Sequence, residues 1–158
     1  MTDAYIVGVD MIKFGRFPEK TVPQIGAQSA LLALDDCGLS IQDMQALYCG
    51  NLGQASGMVG QRILQEIGQT GIPVVNVANA CATGATAFRE AWASVKAGLY
   101  DCVLAVGVAL VRCMSARLAE NMSCDSTSHG SSFGVELSVS GVSAVGLPSS
   151  CRAFGVDT

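Results

Sequence analysis

Between residues 4 and 108, short apolar, β-rich runs alternate with segments of helical periodicity, and that alternation leaves few folds open. Ala4–Val9, Ala46–Cys49, Val74–Val77 and Cys102–Val108 read as four strands, the last of them wholly apolar. Between them, Thr21 is placed to cap a helix that tolerates Pro23 in its first turn. Ala27, Ala30, Leu31 and Leu34 recur on one side of it, and Gly38 follows Cys37 as a left-handed stop. Ser40 to Asp43 reads as one short helical turn. A loop with Gly50, Gly53 and Gly57 leads into a helix from about Val59 to Ile67. From Thr83 onward, Ala85, Phe88, Trp92, Val95 and Leu99 fall at 3,4,3,4 spacing, which predicts a buried helix face. Apolar strands separated by amphipathic helices predict an α/β fold, a mixed and mostly parallel sheet covered by helices on both faces.

The text changes after Val108. Serine occurs four times in the first 110 residues and eleven times in the remaining 48. Periodicity fades there, apart from a weak alternation over Phe133–Val145. An α/β domain over 1–108 and an irregular, Ser-rich tail over 109–158 is the expected division. The abrupt switch suggests a truncation or frameshift product, with a divergent natural tail as the alternative.

Composition narrows the function classes. Charged residues make up 14% of the chain and the net charge is −4, against about 25% charged residues in a typical soluble domain. A surface so poor in charge is expected to be covered in part by a partner, which points to a homo-oligomer or to further chain. The sequence has no basic run of the kind that binds nucleic acid, no apolar run long enough to span a bilayer and no signal-peptide pattern. A cytoplasmic protein that engages neither nucleic acid nor membrane is the expectation. Seven cysteines, an odd count with no C-x-x-C pair, argue against a disulfide framework, and the single His129 completes no zinc set, so no metal is expected. Most of these thiols should be small buried hydrophobes.

Cys81 is the exception. In Val75-Asn76-Val77-Ala78-Asn79-Ala80-Cys81-Ala82-Thr83-Gly84, a buried strand is expected to run into a turn of small residues, and a helix starts directly after the cysteine. A helix N-terminus brings unpaired N–H groups and partial positive charge to the sulfur, which favours a thiolate. A sharp turn lifts the side chain away from the sheet, as in a nucleophile elbow. Small neighbours let a substrate approach closely. Asn76 and Asn79 are expected to satisfy local backbone groups and carry no chemistry.

Asn79-Ala80-Cys81-Ala82-Thr83-Gly84, with Ala87-Phe88-Arg89-Glu90-Ala91 behind it, resembles the motif of the thiolase superfamily. It is most similar to the sterol-carrier-protein-2-like thiolases, which read nearly N-A-C-A-S-G and then A-x-R-E-A. The opening strand, Leu34–Gly38 and Gly98–Gly107 extend the likeness over residues 4–108. The resemblance implies an acyltransferase that acts on a 3-ketoacyl-CoA through an acyl-cysteine at Cys81, with CoA as co-substrate and no bound cofactor. It also implies acid/base groups from a second, C-terminal half, including a His in a G-H-P type motif. His129 lacks that flanking Gly and Pro and is a poor match. Members of this branch often associate with a small zinc-ribbon/OB-fold protein, so such a partner is expected by resemblance alone. Two other readings compete: a thiolase-like aldolase that cleaves a β-hydroxyacyl-CoA without CoA, and a non-catalytic scaffold subunit.

Overall fold

The computed structural model describes residues 3–15, 17–52, 54–112 and 136–146. The tail beyond 146, the segment 113–135 and the candidate His129 lie outside the described residues. Strands β1 (Tyr5–Met11), β2 (Ala46–Asn51), β3 (Val74–Val77), β4 (Cys102–Arg112) and β5 (Glu136–Gly146) form one sheet in the order β1-β5-β4-β2-β3. Helices α1 (Val22–Asp36), α2 (Val59–Ile67) and α3 (Thr83–Lys96) connect them. β2 runs parallel to both β3 and β4, whereas β5 is antiparallel to β4 and β1. Four strands therefore point one way and β5 alone opposes them. This is the mixed, mostly parallel sheet expected.

Local signals account for the helix ends. Thr21 Oγ1 accepts the Gln24 N–H and Gln24 Oε1 accepts the Thr21 N–H, a reciprocal capping box. Pro23 sits in the first turn, where its missing N–H costs nothing. Gly38, at φ +66°, ends the segment in the left-handed region just after Cys37.

The two faces of the sheet alternate residue by residue, as a pleated strand dictates. Leu47 and Cys49 of β2, with Cys102, Leu104, Val106 and Val108 of β4, pack beneath α1 and α2 in a core that includes Ile25, Leu34, Ile63 and Leu64. Ala46 and Tyr48, with Val103 and Ala105, face Ala87, Ala91 and Val95 of α3. One core is built from large aliphatic side chains, the other mostly from small ones.

Three features depart from the sequence expectations. β3 is an edge strand, as β1 is on the other side, rather than a buried one, with Val75 and Asn76 exposed. The α3 stripe is rotated: Thr83, Ala87, Ala91, Ser94 and Val95 are buried, while Trp92 and Leu99 are 41% and 69% exposed and Ala85 is also exposed. Of the expected face only Val95 is fully buried. The large residues cannot enter a gap in which helix and strand backbones nearly touch, so small ones line it. Finally, β4 continues to Arg112 and β5 lies within the stretch expected as an irregular tail. Its backbone is held by ladders to β1 and β4 on both sides, a contribution that depends little on composition.

Candidate active site

Cys81 stands past the carboxyl end of β3, on a single 3-10 turn (Ala80–Ala82) that runs directly into α3. Ala80, just before it, adopts φ +44°, a conformation that L-residues other than Asn and Asp seldom take. That reversal turns the chain from strand to helix within a few residues and leaves the Cys81 side chain exposed. The elbow expected from sequence is present, with one modification. The intervening turn uses the Ala82 N–H on Asn79 O and the Thr83 N–H on Ala80 O, so these amides are internally paired.

The turn is fastened on both sides. Thr83 is buried, and its hydroxyl donates to Val77 O at 2.9 Å, tying the first residue of α3 to the last of β3. Asn79 Nδ2 donates to Thr86 Oγ1 at 2.9 Å, and that hydroxyl in turn donates to Ala82 O at 3.0 Å. Asn79 thus clamps the turn from outside. Asn76 does a different task from the one expected. Its Oδ1 accepts the Gly60 N–H of the first turn of α2 at 2.8 Å, and its Nδ2 donates to Gln61 Oε1 at 2.6 Å. Buried Asn51, the last residue of β2, donates from Nδ2 to Val108 O of β4 at 2.7 Å and accepts the Gln54 N–H at 2.6 Å, tying the end of β2 to its neighbour. Sequence reading missed Thr83, Thr86 and Asn51, since an isolated Thr or Asn carries no local signal of a long-range partner.

The other described cysteines are of another kind. Cys37, Cys49 and Cys102 are buried. Burial pushes the Cys49 thiol up to about 12. Burial also raises Cys37, outweighing the backbone hydrogen bonds at Leu39 and Cys37 that favour its ionised form. Its sulfur donates to Ala33 O and Leu34 O at 3.3 Å, as an inert helix thiol does. Among the four described cysteines, Cys81 alone is open to solvent.

Comparison with known families fits this geometry. The thiolase N-terminal domain matches residues 4–146, through β5 and past the boundary expected at 108. The chain belongs to the thiolase family. Non-specific lipid-transfer protein-like 2 of Caenorhabditis elegans is 40% identical over 106 residues, 65% of this thiolase chain and 26% of that protein. Acetyl-CoA acetyltransferase of Methanothermobacter thermautotrophicus is 32% identical over 114 residues, 68% of this chain and 29% of the archaeal one. This thiolase chain therefore spans between a quarter and a third of either relative's length. The crystal structure of the priming beta-ketosynthase from the R1128 polyketide biosynthetic pathway superposes with a TM-score of 0.64 at 16% identity, covering 91% of this chain and 50% of that one. That likeness is one of fold. Among the described residues, no helix is long and apolar enough to cross a membrane.

Proposed function

We propose that this chain carries the acyl-accepting cysteine of a thiolase-type acyltransferase, and that Cys81 is that residue. The observation that carries the reading is the position of Cys81: exposed, on a strained strand-to-helix turn, while the other three described thiols are buried. In the half-reaction, the Cys81 thiolate attacks the thioester carbonyl of an acyl-CoA. A new C–S bond forms, the old one breaks, and CoA leaves as a thiolate that takes up a proton. From a 3-ketoacyl-CoA the attack falls on the 3-keto carbon instead. The C2–C3 bond breaks, its electron pair stays on C2, and protonation there releases acetyl-CoA. Covalent catalysis divides one difficult carbon–carbon cleavage into two acyl transfers. Protonating C2 and activating the incoming CoA call for acid/base groups, which the resemblance assigns to a C-terminal half. Trp92 of α3, Leu99 after it, Met58 before α2 and Ile6 of β1 are exposed apolar side chains, which supports coverage of parts of the chain by such a half or by a second copy.

The test is stoichiometric release of CoA. The full chain, mixed with excess acetyl-CoA at mildly alkaline pH, is expected to liberate one CoA per chain, and Cys81→Ala to liberate none above background. Equal release from both proteins would sink the assignment of Cys81.

A further inference from the structure

Gly50 lies near the carboxyl end of β2, paired with Val77 on one side and with Gly107 on the other. Along β2, Ala46 and Tyr48 face α3, and the two-residue pleat puts Gly50 on the same face. Along β4, Val103 and Ala105 face α3 and Gly107 follows them in the same register. Both strands thus shrink to hydrogen at the level where α3 begins. A Cβ placed on Gly50 would sit 2.4 Å from Thr83 O, 2.7 Å from Thr83 C and 3.1 Å from Gly84 N. All three are backbone atoms of the first turn of α3, two or three residues past Cys81, so no side-chain rotation relieves the overlap. The turn has little freedom to retreat, because the Thr83 hydroxyl holds Val77 O and Asn79 clamps Thr86.

We propose that Gly50 is a positioning residue for Cys81: its missing side chain lets the first turn of α3 rest on the β2 backbone, and this contact, with the Thr83 latch, fixes where the Cys81 sulfur stands. The inference rests on the reading of Cys81 as the acyl acceptor. Gly50 touches no reacting atom. Its effect passes through the Thr83–Gly84 backbone to the turn that bears the sulfur. A carbonyl must be met within a narrow range of distance and angle, whereas a small flexible alkylating agent tolerates a displaced sulfur.

The experiment measures two rates on the full chain: acylation of Cys81 by acetyl-CoA, followed as CoA release, and alkylation of Cys81 by iodoacetamide. Gly50→Ala is expected to lower the maximal acylation rate by about 10-fold to 100-fold, in keeping with the cost of an ångström-scale misplacement. The half-saturating acetyl-CoA concentration and the alkylation rate should stay nearly unchanged. Gly26→Ala serves as the comparison. Its Cβ would meet Ile63 Cδ1 at 2.5 Å between α1 and α2, an overlap with the end of a flexible side chain and away from the turn, and it should leave the acylation-to-alkylation ratio of the parent. Should Gly50→Ala fail to fold, the Thr83 pair decides. Thr83→Val, which loses the bond to Val77 O, should show the selective loss, and Thr83→Ser, which keeps it, should restore the ratio. An unchanged ratio in Gly50→Ala, or in Thr83→Val where Gly50→Ala does not fold, overturns the role of Gly50. Failure of the parent chain to release any CoA instead overturns the acyl-acceptor reading and leaves a separate signature, since iodoacetamide still labels Cys81.

Discussion

The two faces of the sheet solve the same packing problem in opposite ways. Beneath α1 and α2, buried Ile25, Leu34, Leu47, Ile63 and Leu104 fill the space between helix and strand. Beneath α3 the contact is made by Ala46, Ala87, Ala91 and Ala105, ending at Gly50 and Gly107. Large side chains remove more apolar area from water and so stabilise more. Small ones bring backbones together, and a backbone held against another backbone cannot wander. The first face supplies stability; the second fixes the placement of the turn that bears Cys81.

Truncation on the first face should have the largest effect. Ile63→Ala, at a fully buried site, is expected to destabilise the fold by about 2–5 kcal/mol in urea titration. A loss below the cost of a surface substitution would mean that α2 is not part of the cooperative core. Enlargement should do the damage on the second face. Ala91→Leu is expected to cost about 1–3 kcal/mol by overpacking the gap under α3. The same change at exposed Ala85 should be close to neutral, and equal costs at the two sites would show that α3 does not press on the sheet.

The alternation of strand and helix was legible because it depends on local apolar runs and caps, and Thr21, Pro23 and Gly38 do what their chemistry suggests. Orientation was not. The spacing of Phe88, Trp92 and Leu99 is helical, yet a period states only that a helix has a stripe. What lies opposite decides which stripe is buried, and the close approach at Gly50 admits alanine rather than tryptophan. β5 showed in the sequence only as the weak alternation over Phe133–Val145, for a related reason. Ser138, Ser140, Gly141 and Ser143 dilute its apolar signal, while its place between β1 and β4 is secured by two backbone ladders. At the site, the strand–turn–helix around Cys81 was plain in the order of residues. The Thr83–Val77 and Asn79–Thr86 bonds were not, because they appear only once the chain has reversed direction.

A smaller effect concerns the buried thiols Cys49 and Cys37. With its folded-state value raised to about 12, Cys49 stays protonated in the fold where the unfolded chain's thiol, near about 8.5, has already ionised. The unfolded state then binds fewer protons, so the stability due to Cys49 is full below about pH 8.5 and is lost as pH rises toward about 12. The urea midpoint of the parent chain should fall more steeply over that window than that of Cys49→Ala. Cys37, raised in the same direction, tilts both curves alike. Parallel curves would contradict the burial of Cys49. The smallest change expected is Thr21→Ala, which removes the capping box of α1 and should cost about 1 kcal/mol in the same titration.

The most direct measurement locates the acyl group itself. The full chain is treated with acetyl-CoA, quenched in acid, digested, and each cysteine peptide is weighed by mass spectrometry. The acetyl mass is expected on the peptide that contains Cys81, and not on those that contain Cys37, Cys49 or Cys102. An acetyl group on one of the buried thiols in preference to Cys81, or no acetyl-cysteine at all in a chain whose Cys81 still reacts with iodoacetamide, would contradict the assignment of Cys81 as the acyl acceptor.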